Sequence, residues 1–300
     1  MTTDRPSDGI VAAWAKQGWF HEFDERAVFV ADLGPDDDRE PVLLLHGFPT
    51  SGADWHSVAA ALARSGRRVV VPDFLGFGFS AKPDQEYSLF EQADLVESVL
   101  ADLGITHVAL VTHDMGDSIG GEILARSLDG DLDVTVKRRV LTNGSIYLDL
   151  AQLSAGQQLL LSLPDAALTE AEAELVGADG LRGALVGTFA PGSAVPDAEV
   201  DAMVELVLRS GGNRLLPRTI RYIEERREHE DRWTGAIETH SSPLQVIWGD
   251  ADPIAVVGMT DRLVEHRPGT PVTRLEAVGH YPMLEAPTPF LEALQRGLTA

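Results

Sequence analysis

The sequence predicts an α/β protein: a mostly parallel central sheet flanked by helices, with an all-helical block inserted into it. Three observations carry this. Val42 to Leu45, Arg68 to Val71 and His107 to Val111 form short apolar runs, the pattern of strands buried on both faces. Between them lie stretches with apolar residues at helical spacing, as at Leu89, Ala93, Val96 and Leu100. That alternation stops after about Ser145 and resumes at Leu244.

In chain order, Trp19 to Val30 alternates as a strand pair closed by the turn residues Gly34-Pro35. Val42 to Leu45 is a strand running into His46-Gly47-Phe48-Pro49, followed by a helix from about Trp55 to Arg64. The strand Arg68 to Val71 ends in Pro72-Asp73, and an amphipathic helix covers about Ser88 to Leu103. His107 to Val111 is the next strand; its helix runs from Gly116 to about Leu128, and Arg139 to Thr142 is a further strand. From there to about Thr239 the chain is helix-prone, broken at Gly177, Gly180, Pro191 and Pro196. Leu244 to Trp248 (strand), Val256 to His266 (helix), Val272 to Leu275 (strand) and Pro289 to Leu298 (helix) complete the pattern. The expected organisation is a core of residues 1–144 and 241–300 with a helical cap at 145–240.

Composition narrows the function classes. Three hundred residues, 44% of them hydrophobic, suffice for one large core. Cysteine is absent, which excludes disulfides, thiol nucleophiles and thiolate metal sites. A net charge of −23 argues against nucleic-acid binding. The first ten residues show no basic-then-apolar secretion signal, and no apolar run approaches the ~18 residues of a membrane span. A cytoplasmic protein without membrane attachment is expected.

The chemistry centres on Val-Thr-His-Asp-Met-Gly (111–116). A buried strand, a tight turn bearing one reactive side chain and a helix form the nucleophile-elbow pattern. Its apex is Asp114. A serine there would need a base for activation, whereas a carboxylate is ordinarily charged near neutral pH. Carboxylate attack on saturated carbon gives an ester that water can cleave, so the elbow predicts alkyl-group chemistry. Two further parts are needed: a base for the water and an acid to orient it. The loop after Val272–Leu275 offers His280, and the loop after Leu244–Trp248 offers Asp250 and Asp252. Asp252 is favoured because the residue before a proline, here Pro253, is held extended. Backbone N–H groups of Phe48 and Met115 are the expected oxyanion hole. His46 and His113 are read as structural donors to nearby carbonyls, and Asp117 as an N-terminal helix carboxylate.

With these residues in hand, the chain resembles the Asp-nucleophile branch of the α/β-hydrolase superfamily, that of epoxide hydrolases and haloalkane dehalogenases. HGFPTSGADW (46–55), PDFLGFGFSAKP (72–83), THDMGD (112–117) and GHYPMLEAP (279–287) look closest to its mesoderm-specific-transcript-like subgroup. The resemblance implies an α/β-hydrolase fold, Asp114 as nucleophile, His280 as base, Asp252 as acid and no cofactor. Dehalogenases of this branch usually hold the halide with a Trp after the nucleophile. Met115 stands there and Phe48 at the second halide position, which disfavours haloalkanes. Epoxide hydrolases usually use two cap tyrosines. Tyr222 resembles one; the other is missing unless Tyr147 reaches in. The expected function is therefore an epoxide hydrolase-like enzyme acting on a hydrophobic small molecule and water. A dehalogenase using Trp55 or Trp233, and a ligand-binding protein on a hydrolase scaffold, are the alternatives. A homodimer is the one assembly left open.

Overall fold

The computed structural model describes residues 7–38 and 40–299; residues 1–6, part of the segment read above for a secretion signal, lie outside them. Eight strands form one sheet: β1 (Gly18–Phe23), β2 (Arg26–Leu33), β3 (Val42–Leu45), β4 (Val69–Pro72), β5 (His107–His113), β6 (Thr135–Thr142), β7 (Leu244–Gly249) and β8 (Val272–Leu275). Their order is β1-β2-β4-β3-β5-β6-β7-β8. β2 runs antiparallel to both its neighbours, and every pairing from β4 through β8 is parallel.

The central strands β3 and β4 are buried at every position, as solid Val/Leu blocks must be when helices cover both faces. β6 begins earlier than the sequence suggests. Thr135 to Arg138 alternate between exposed or partly exposed and buried positions, and the charges on Lys137 and Arg138 mask the strand there. The N-terminal helix Ser7–Ala15 was not anticipated. It buries Val11 and Trp14 and packs against the helix Asp197–Leu208.

Between β6 and β7 the described residues form helices and turns with no strand, the longest elements being Asp197–Leu208 and Tyr222–Thr239. Tyr222–Thr239 lies along the helix Met115–Asp129 that follows β5. The seam is polar: buried Glu122 accepts hydrogen bonds from Arg126 (2.9 Å), Arg232 (2.7 Å) and the Trp233 indole (2.8 Å). Among the described residues no helix is long and apolar enough to cross a membrane.

Candidate active site

Asp114 sits where β5 ends and the helix Met115–Asp129 begins, with φ 50° and ψ −114°. A positive φ is unusual for a non-glycine residue and marks strain held by the surroundings. Packing holds it here. At Gly116 a Cβ would lie 2.7 Å from the Leu45 carbonyl oxygen, so only glycine lets the helix start against β3. At Gly47 a Cβ would fall 2.7 Å from the Asp114 Cβ, so glycine also gives the carboxylate its space.

His280 lies in the loop after β8, and its Nδ1–H donates to Asp252 Oδ2 at 2.8 Å. On the other side its Nε2 is 3.9 Å from Asp114 Oδ1, beyond a hydrogen bond. Phe48 N–H donates to the second Asp114 oxygen, Oδ2, at 2.9 Å. Met115 supplies the first N–H of its helix, a group without an intrahelical partner. The structure thus gathers all five residues assigned to nucleophile, base, acid and oxyanion hole.

Asp252, rather than Asp250, faces the imidazole. Its Oδ1 accepts from the N–H groups of Ile254 (2.7 Å) and Ala255 (3.1 Å), while Asp250 accepts from Ala277 N–H on an exposed turn. Asn143, which the sequence reading passed over, donates to Asp252 Oδ2 at 2.8 Å and accepts from Gly249 N–H at 2.9 Å. It stands at φ 46°, and an Asn-Gly pair after an apolar strand was the signal available for it.

Burial works against a charged His280, but the Asp252 and Asp114 carboxylates outweigh it, with Glu285 adding to them. Its pKa rises to about 9. His46 and His113 are ring donors to the carbonyls of Gly47 (2.9 Å) and His280 (2.7 Å). Burial lowers both, to about 3 and about 4, so they stay neutral. Asp117 is buried and its carboxyl pKa is pushed well up, first by burial and then by Asp114.

Tyr222 is buried, its ring 5.5 Å from that of Phe48 and under the Arg226 guanidinium at 5.0 Å. Burial and the Asp114 charge raise its hydroxyl pKa, so it remains a proton donor. Tyr147 does not reach in: its hydroxyl bonds Glu238 at 2.8 Å.

A cavity of about 350 Å³ lies between the core loops and the helices of the insertion, lined by Phe48, Leu160, Leu181, Leu185, His280 and Tyr281 among others. Asp114 is 2% exposed and is not among the lining residues, although its neighbours Phe48 and His280 are. A second cavity of about 140 Å³ is lined by Tyr222, Arg226 and Gln157, among others.

A sequence profile described as the alpha/beta hydrolase family matches residues 42–293. The chain belongs to that family. Among relatives of this α/β hydrolase, the putative hydrolase LipZ of Mycobacterium tuberculosis is 41% identical over 257 residues, covering 85% of this chain and 87% of LipZ. The mesoderm-specific transcript protein of Mus musculus is 34% identical over 290 residues, covering 94% and 85%. An α/β hydrolase fold protein from Burkholderia ambifaria superposes with a TM-score of 0.75 at 25% identity, covering 93% of this chain and 97% of that one. A haloalkane dehalogenase variant from Bradyrhizobium elkanii shares the fold at a TM-score of 0.73 and 19% identity, over 94% and 96% of the two chains.

Proposed function

We propose that this α/β hydrolase opens an epoxide, or a similarly strained ether, on a hydrophobic molecule through an ester on Asp114. The observation that carries the reading is the division of labour on one carboxylate: Oδ2 is already held by the Phe48 N–H, and Oδ1 lies on the His280 side. Oδ1 attacks carbon in line, the C–O bond breaks, and Tyr222 donates its proton to the leaving oxygen. Esterification removes the Asp114 negative charge, one of the groups that raise His280. The proton that His280 carries at rest restores the one Tyr222 gave, and with both anions discharged the imidazole pKa falls when a base is required. Neutral His280, oriented by Asp252, takes a proton from water, and the hydroxide attacks the ester carbonyl. The resulting oxyanion is Oδ2, facing the Phe48 and Met115 N–H groups; such donors contribute about 3 kcal/mol each. The intermediate collapses by breaking the bond from its carbon to the alkyl oxygen, the proton of the added hydroxyl passes to that oxygen, and the diol leaves with Asp114 ionised and His280 protonated again.

Residues 145–240 act in this reading as a cap, whose side chains make the cavity apolar and exclude bulk water. Epoxide is favoured over halide as the leaving group. The Trp233 indole N–H is committed to Glu122, which removes that halide donor, and the residues at the two usual halide positions, Met115 and Phe48, carry no side-chain N–H. The name of the M. tuberculosis relative supports hydrolysis without specifying a substrate.

Incubation with a panel of aryl and alkyl epoxides tests the proposal. Diol is expected from the wild type and a loss of roughly a thousandfold or more from Asp114→Asn. Diol formation that survives the substitution would remove the nucleophile.

A further inference from the structure

We propose that the smaller cavity is an anion subsite, in which Arg226 receives the carboxylate of an amphiphilic substrate whose apolar tail fills the larger cavity. The inference rests on the reading of the larger cavity as the substrate site. It begins with a charge that the structure leaves unmatched. Arg226 is 5% exposed, its Nε–H donates to Ser118 Oγ at 2.7 Å, and its Nη2 has no hydrogen-bond partner among the described residues. It forms no ion pair there, although the chain has 47 Asp and Glu against 24 Lys and Arg.

The contrast with Arg139 is informative. Arg139 is equally buried without a carboxylate, but its Nη groups donate to the carbonyls of Ile237, His240 and Ser242. Arg226 has no such set. Asp117 is the carboxyl whose charge Arg226 would offset, but among the described residues no hydrogen bond or ion pair joins the two. Burial pushes the Asp117 carboxyl pKa well up against the pull of Arg226, which weakens it as a counter-ion. A buried cation whose partners are a hydroxyl and an aromatic face carries a desolvation cost, and an incoming anion relieves it.

The surroundings fit that anion. The cavity of about 140 Å³ is lined by Arg226 and Arg227, with Ser145, Gln157 and Tyr222 as neutral polar groups and no carboxylate. The volume suits a carboxylate with little attached chain. Gln157 and Ile254 line both this cavity and the apolar one of about 350 Å³, so the two adjoin. Ser118, which holds Arg226, is one helical turn past Asp114, which puts the anionic group close to the reacting carbon. The substrate class is thus an acid with its electrophilic carbon near the carboxylate and an apolar tail beyond.

Calorimetric binding of unreactive probes tests the subsite independently of turnover. Decanoate and decanamide share a tail and differ in charge. At neutral pH the wild type should bind decanoate about tenfold or more tightly than decanamide, the range expected of charge-assisted hydrogen bonds. Arg226→Gln should erase that preference and leave decanamide unchanged. Equal binding of the two probes, or no binding of either, to the wild type overturns the proposal without any variant having to fold. So does an equal weakening of both in Arg226→Gln, which would make the guanidinium a packing group. Absence of diol formation would sink the epoxide reading and leave this result intact.

Discussion

At the scale of single residues, the account turns on how His280 changes its proton affinity during turnover. In the resting protein burial opposes its charge, Asp252 and Asp114 prevail, and the pKa stands at about 9. Because the folded value exceeds the ordinary 6.5, protonated His280 adds stability that is complete below pH 6.5 and lost as pH rises through about 9. Base catalysis needs the neutral ring. With Asp114 esterified, one of the raising charges is gone, so the limb for ester hydrolysis should lie below about 9. Single-turnover hydrolysis rates against pH will show it; a limb at or above 9 would contradict the charge-relief step. Asp114, His280 and Asp252 were legible in the sequence because each follows an apolar strand in the order this chemistry uses. Asn143 and Arg226 were not, since a turn asparagine and a helix arginine look ordinary until packing buries them beside Asp252 and Tyr222.

At the scale of elements, the helix Tyr222–Thr239 sets the positions of Tyr222 beside Phe48 and of Arg226 beside Ser118. Glu122 fastens it. Burial raises the Glu122 pKa, but hydrogen bonds from Arg232, Arg126 and Trp233 prevail and leave it below its ordinary 4.5. That depressed value means stability present above pH 4.5 and lost as pH falls through the folded value. Glu122→Gln removes the buried carboxylate the two arginines share, leaving Arg126 with Asp94 and Glu97 and Arg232 with Asp129. It should cost on the order of 3 kcal/mol, about 5 °C in Tm for a chain of this size. The gap to wild type should narrow below pH 4.5. Equal melting at neutral pH would mean that the seam rests on apolar packing alone. The sequence foretold this helix but not its clasp, because a Glu on one helix and a Trp on another share no local pattern. The start of β6 and the helix Ser7–Ala15 escaped for a related reason. Exposed charges mask the strand, and only tertiary burial of Val11 and Trp14 marks the helix.

At the scale of the whole molecule, a mostly parallel sheet delivers the loops that carry Asp114, Asp252 and His280 to one edge, and helices between β6 and β7 line the adjoining cavity. The alternation of solid strands with amphipathic helices made that architecture readable, including the break at about Ser145. Substrate chemistry was less so, because the cavity is assembled from segments as distant in sequence as Phe48, Leu181 and His280. Asp114 is itself buried, so a substrate reaches it only where the residues packed around it give way. The most direct test is intact-mass analysis of His280→Gln after exposure to a turned-over epoxide. The account predicts a stable adduct, heavier by one epoxide and mapping to the peptide that contains Asp114. An unmodified protein that still releases diol, or an adduct on any other residue, would contradict it.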